Sequence, residues 1–180
     1  MNIFCDIDDT LLNFIPTLLE VYNADYNDNL TKDDITDWQL DLFVKPECGV
    51  KIYDYFSDPN LNLYYAIKPI KNSLNIINLL KKNNHRIIFC TRLDPFNRKL
   101  NWLVENGFTK DSKDYVLAED KTLLDAYVII DDRFKYIQEY NESHRKAILI
   151  NQPWNKKYDY VYRAYNWNDV LNFIKEWENQ

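Results

Sequence analysis

A chain of 180 residues with 46% hydrophobic and 16% aromatic content carries enough apolar surface for a domain-sized core, which excludes a disordered polymer. Its net charge of −6 does not supply the basic face that duplex nucleic acid or an anionic membrane surface requires. Two glycines, Gly49 and Gly107, leave no glycine-rich phosphate loop and no dinucleotide-binding fingerprint.

The N-terminal run Asn2-Ile3-Phe4-Cys5-Asp6-Ile7-Asp8-Asp9-Thr10 opens as an apolar strand and ends in three carboxylates and a threonine. Unpaired charge is too costly to bury. Asp6 and Asp8, at a strand exit, therefore need a cation or a reaction that uses them. Residues 14–26 read as a helix, Thr31-x-x-Asp34 is a capping box opening another, and 46–56 read as a third before a turn at Asp58-Pro59-Asn60. About eighty residues thus separate the first and second strands, where a crossover needs only a dozen or more. Aromatic residues crowd this stretch. The pattern predicts a helical cap over residues 13–68, inserted into a core built from 1–12 and 69–180.

Beyond the insertion, strands and helices alternate. Apolar runs at 3–5, 87–90, 115–117, 128–130 and 147–150 predict five buried strands. Helical periodicity covers 73–83, 97–106 (stopped by Gly107), 134–140 and 169–178, the last with Asn168 as N-cap. This order predicts an α/β fold with a parallel five-stranded sheet covered on both faces. Cys5 and Cys90 lie in apolar strands and no C-x-x-C occurs, so both read as buried hydrophobes in a reducing compartment. His85 and His144 have no metal-ligand partner at useful spacing and read as surface residues. With no leader or bilayer-length apolar run in the chain, the expectation is a cytoplasmic protein.

In a parallel α/β sheet, ligands bind outside the carboxyl ends of the strands. Asp6 and Asp8 leave the first strand there, Thr91 the second, and Asp131-Asp132 the fourth, with Lys121 running into that fourth strand. Two strands ending in carboxylates suit a hard divalent cation such as Mg²⁺, which usually accompanies phosphate. One carboxylate can attack phosphorus and a second can shuttle the proton, while a threonine hydroxyl and a lysine bind the charge-gathering oxygens. Taken alone, Asp6-x-Asp8-x-Thr10 also suits an acidic strand-to-helix turn with a capping aspartate. Receiver-type signalling domains gather similar residues, but they carry the lysine last and have no long insertion after strand one.

Asp6-x-Asp8-x-Thr10, Thr91, Lys121 and Asp131-Asp132 resemble, in order, the four motifs of haloacid dehalogenase-like phosphatases. Asp-Ile-Asp-Asp-Thr-Leu-Leu-Asn-Phe at the start narrows the resemblance to the 5′(3′)-deoxyribonucleotidase family. Ile35-Thr36-Asp37-Trp38, Cys90-Thr91-Arg92, Ile130-Asp131-Asp132-Arg133 and Asn151-Gln152-Pro153-Trp154-Asn155 support it. The resemblance implies a Rossmann-like core and a Mg²⁺-dependent phosphomonoesterase acting on nucleoside monophosphates. It implies Asp6 as nucleophile, Asp8 as general acid/base, and Thr91 and Lys121 as catalytic partners. Mg²⁺ would be held by Asp6, the Asp8 carbonyl and Asp131, with Asp132 behind. Phe14 and Trp38 would line the base pocket, with Tyr64 or Tyr65 nearby; Phe14, Trp38, Tyr65 and Arg92 are the expected substrate-binding residues. Sugar phosphates and polynucleotide ends remain alternative substrates, and homodimerisation is left open. The chain departs from the family pattern at Asp9, where members often carry glycine.

Overall fold

The computed structural model describes residues 1–65 and 67–179; Ala66 and Gln180, which fall in the expected cap and core, lie outside the described residues. β1 (Asn2–Cys5) pairs in parallel with β2 (Arg86–Thr91) on one side and β4 (Val128–Asp131) on the other. Adding β3 (Tyr115–Leu117), β5 (Lys146–Ile150) and β6 (Arg163–Ala164) gives one sheet in the order β3-β2-β1-β4-β5-β6. The sheet therefore has six strands, one more than expected from the sequence. β6 is two residues long and contains Arg163, so no apolar run announces it. Its pairing with Leu149 and Ile150 defines it. Receiver domains instead follow the order 2-1-3-4-5.

Period-2 alternation sends successive strand residues to opposite faces. Ile3 and Cys5 join one apolar cluster and Phe4 the other. The larger cluster takes Ile77 and Leu80 of α2 (Ser73–Lys82), Trp102 and Leu103 of α3 (Arg98–Glu105), and Val170 and Ile174 of α5 (Trp167–Glu178). On the second face, α4 (Phe134–Glu142) buries Tyr136, Ile137 and Tyr140. Because both faces are covered, the inner strands are apolar nearly throughout.

α3 ends at Glu105 with Asn106 as its C-cap, and Gly107 follows at φ +77°, the left-handed geometry that glycine supplies without steric cost. The N-cap of α5 is Asn166 rather than Asn168. Its side chain accepts from Asn168 N (2.9 Å) and Asp169 N (3.3 Å), so the helix starts two residues earlier than expected. His85 is buried rather than at the surface. Its Nε2 lies 2.9 Å from Oε1 of Glu178, the last residue of α5. His144 is exposed, and Cys5, Cys48 and Cys90 are buried and unpaired.

Between β1 and α2 the chain forms α1 (Phe14–Tyr26) and then short 3-10 turns. Thr31 and Asp34 make the reciprocal capping box, but the element it opens is a three-residue 3-10 turn over Lys32–Asp34. The helix expected at 46–56 is a 3-10 helix over Gly49–Phe56, started by Gly49 at φ +49°. The Lys45 ammonium donates to the last carbonyls of α1, Tyr26 and Asn27, both at 2.9 Å. A cation there complements the helix dipole. Among the described residues, no helix is long and apolar enough to cross a membrane.

Candidate active site

Strand order reverses at β1, whose neighbours are β2 and β4, and such switch points open a crevice at the carboxyl edge of the sheet. Register then decides which residues meet there. Cys5 pairs with Ile130, so Asp6 emerges level with Asp131, the last residue of β4. The Asp6 N–H donates to the Ile130 carbonyl at 2.9 Å, which holds that alignment beyond the strand.

Asp6, Asp131 and Asp132 are buried, and one carboxylate oxygen from each lies within 4.8 Å of the others. The buried Lys121 ammonium lies between two of them. It donates to Asp131 Oδ2 at 2.7 Å and in a short contact to Asp6 Oδ1. Burial alone would lower this lysine, yet the Asp131 and Asp6 carboxylates hold its ammonium well above the usual range. Burial, opposed by Lys121, pushes the Asp131 carboxyl up to about 6. Burial and then repulsion from Asp131 and Asp6 carry Asp132 well above the ordinary carboxylate range. Three acids around one lysine leave negative charge uncompensated. All-oxygen donors in a buried cluster suit a hard divalent cation, so the residues present fit Mg²⁺.

The loop after β5 supports this cluster from behind. Trp154 Nε1 donates to Asp132 Oδ2 at 2.7 Å, and Asn155 Nδ2 donates to the Asp132 carbonyl at 2.7 Å. Gln152 Nε2 reaches the Asp9 carbonyl at 2.5 Å. Asp9 itself sits at φ +51°, a conformation that aspartate tolerates better than most residues. Its carboxylate accepts from Ile15 N at 3.2 Å, at the positive end of α1, and pairs with Lys32 at 3.3 Å. Burial, offset by Lys32, pushes it up to about 7.

Thr91 closes β2 with its hydroxyl buried at the same edge, accepting from Lys99 Nζ at 2.8 Å. The same ammonium lies 2.7 Å from Asp8 Oδ2. Burial raises Asp8, and Lys99 opposes that rise. Lys99 was not among the residues singled out from the sequence. One local signal marks it: Arg98 and Lys99 place two cations in the first turn of α3, against the helix dipole. Asp94 offsets this by accepting from Lys99 N and Leu100 N, each at 3.2 Å.

A cavity of about 620 Å³ opens above these groups, lined by Asp6, Asp8, Thr91, Lys99, Lys121 and Asp131 at its base. Phe14, Ile35, Trp38, Leu40, Tyr53 and Phe56 give it an apolar wall. Phe14 is buried and packs on Phe56 at 5.1 Å between ring centroids. Trp38 is half exposed, edge-on to Trp154 at 5.9 Å, with the Arg133 guanidinium 5.4 Å from its ring. Arg92 lines the cavity with an exposed side chain, 3.6 Å from Glu119. Tyr65 does not line it. It is 89% exposed, and Tyr64 takes the inward place, because consecutive residues of the turn following Asn62 point in opposite directions.

Solved structures share this fold across nearly the whole chain. A hydrolase from Pseudomonas syringae is 13% identical and covers 98% of each chain, with a TM-score of 0.60. A haloacid dehalogenase-type hydrolase from Bacillus subtilis, bound to magnesium, is 13% identical over 97% of this chain and 98% of its own, with a TM-score of 0.62. Those likenesses give the molecule the fold of the haloacid dehalogenase-type hydrolases, with its acidic cluster at the switch point of the sheet. A 5′(3′)-deoxyribonucleotidase from Clostridium acetobutylicum is 27% identical over 165 residues, 92% of this chain and 89% of that protein. Residues 1–178 match the family described as 5′ nucleotidase, deoxy (pyrimidine), cytosolic type C, and the chain belongs to that family. It is a phosphoric monoester hydrolase.

Proposed function

We propose that this protein is a Mg²⁺-dependent phosphatase of nucleoside monophosphates, deoxyribonucleotides above all, working through an aspartyl-phosphate on Asp6. The observation that carries the reading is a buried acidic cluster opening directly into an aromatic-walled cavity. Aromatic and aliphatic walls suit a nucleobase, whose faces stack, better than a sugar phosphate rich in hydroxyls.

In this scheme the Asp6 carboxylate attacks phosphorus and the P–O bond to the nucleoside breaks as Asp8 gives its proton to the leaving oxygen. Asp8 then takes a proton from water, whose oxygen attacks the phosphorus, freeing phosphate and restoring Asp6. Lys121, which reaches Asp131, and Lys99, which reaches the Thr91 hydroxyl, would bind the non-bridging oxygens together with that hydroxyl as charge builds on them. Asp6, Asp131 and the Asp8 carbonyl would hold Mg²⁺, with Asp132 behind them. The ion would supply charge neutralisation between the attacking carboxylate and the phosphate. Phe14 and Trp38 would flank the base, and Arg92 and Arg133 offer cations at the cavity mouth.

The test is phosphate release over many turnovers, with Mg²⁺, across a panel of deoxy- and ribonucleotides and sugar phosphates. Preferential turnover of nucleoside monophosphates is the expected result. A preference for sugar phosphates would overturn the substrate assignment.

A further inference from the structure

Two side chains grip the Asp8 carboxylate from different parts of the chain. Lys99 reaches Oδ2 at 2.7 Å. The Tyr64 hydroxyl, 56 residues away in sequence, donates to Oδ1 at 3.1 Å with Oδ2 at 3.3 Å. Tyr64 is only 9% exposed, stacks on Phe14 at 5.4 Å between ring centroids, and does not line the cavity. A ligand in the cavity would therefore meet Asp8 and Phe14, and Tyr64 only through them.

Both grips trace back to one helix. The Arg98 guanidinium donates to the carbonyls of Asp58 and Pro59, each at 2.8 Å, and of Leu61 at 2.5 Å. Trp102 Nε1 donates to the Ile67 carbonyl at 2.7 Å. α3 thus pins the chain on both sides of Tyr64, while Lys99, between those two residues, holds Asp8 directly. The terminal torsion of an aspartate is broad and roughly two-fold. One ammonium contact leaves that torsion loose, and a second contact from another direction fixes it.

We propose that Tyr64 is a positioning residue whose hydroxyl orients the Asp8 carboxylate toward the leaving oxygen. This rests on the reading of Asp8 as the acid–base group. The role belongs to the hydroxyl rather than the ring, so Tyr64→Phe, which keeps the stacking on Phe14, isolates it.

The experiment is rapid-quench measurement of phospho-enzyme formation with Mg²⁺, using thymidine 5′-monophosphate and p-nitrophenyl phosphate. The nitrophenolate leaves without needing a proton, so its departure is insensitive to how Asp8 is turned. Tyr64→Phe is expected to slow formation from the nucleotide about 10-fold, with KM changed less than about twofold, and to slow the aryl phosphate by less than about twofold. Nucleotide chemistry within about twofold of the unmodified enzyme, or equal losses on both substrates, would overturn the inference. Tyr64→Met also lacks the hydroxyl and decides the matter if the Phe variant does not fold. Asp8→Asn is the control for the underlying reading. If it kept full nucleotide turnover, the acid–base role of Asp8 would fall, and the role of Tyr64 with it.

Discussion

Trp154 donates its indole N–H to the buried Asp132 carboxylate at 2.7 Å, tying the loop after β5 to the acidic end of β4. The bond matters because Asp132 is withdrawn from water and faces the carboxylates of Asp131, Asp6 and Asp9. Groups that orient metal-site carboxylates typically change metal affinity 10- to 100-fold when removed. Trp154→Phe keeps most of the packing against Trp38 and is expected to raise the Mg²⁺ concentration for half-maximal activity by about 10-fold or more. A Mg²⁺ titration of initial rate checks this; an unchanged midpoint would assign the bond to stability alone.

Asp6→Asn is expected to reduce turnover by at least about 1,000-fold, because an amide cannot carry the phosphoryl group. The variant should still fold, since Lys121 keeps its 2.7 Å contact with Asp131. Steady-state rates alongside a thermal melt distinguish a lost nucleophile from a lost fold.

Burial raises the carboxyl of Asp131 to about 6, and burial with repulsion from Asp131 and Asp6 raises that of Asp132 well above the ordinary carboxylate range. Raised carboxyls bind more protons in the native than in the unfolded state. Metal-free stability should therefore fall as pH rises from about 4 through 6, and the loss persists above that window. Mg²⁺ binds the deprotonated cluster, so it should raise Tm more at about pH 7.5 than at about pH 5. Thermal melts with excess Mg²⁺ and with a chelator at both pH values measure the difference. The same chelator should stop phosphate release.

Lys99→Met removes the ammonium that touches both Thr91 and Asp8. The expected result is a fall in kcat/KM of about 100-fold. The loss should appear with aryl phosphates and nucleotides alike, since the group serves the phosphate rather than the base. A loss confined to nucleotides would assign Lys99 to holding Asp8 rather than to binding the phosphate.

Trp38→Ala should discriminate in the opposite sense. Stacking a base on an aromatic ring contributes about 1–3 kcal/mol, so the variant should lose about 10-fold or more in kcat/KM on a nucleotide and little on p-nitrophenyl phosphate. Equal losses would show that Trp38 supports the cavity through Trp154 and Arg133 without meeting the base.

Much of this molecule is written locally in the chain. The five longer strands are short apolar runs, and the acids that follow two of them stand where burial without a partner is untenable, so patterning and electrostatics suffice to find them. The three-residue turn behind Thr31 and the 3-10 helix from Gly49 were read as longer helices, because capping signals locate a start but not the length that tertiary contacts sustain. Arg163–Ala164 has no apolar run of its own and becomes a strand only through pairing with β5. His85 is buried by α5, packed from the far end of the sequence.

The α/β alternation and the residue types of the acidic site are legible in the chain alone, because both follow from periodicity and from the free energy of burying charge. The tertiary structure alone decided which groups touch them: Lys99 on Asp8 and Thr91, Tyr64 rather than Tyr65 turned inward, Trp154 on Asp132. The contacts of Lys99 and Tyr64 with Asp8 and of Trp154 with Asp132 join segments distant in the chain. Strand register and the packing of α3 bring them within hydrogen-bond reach, and no local pattern encodes a distance of that kind.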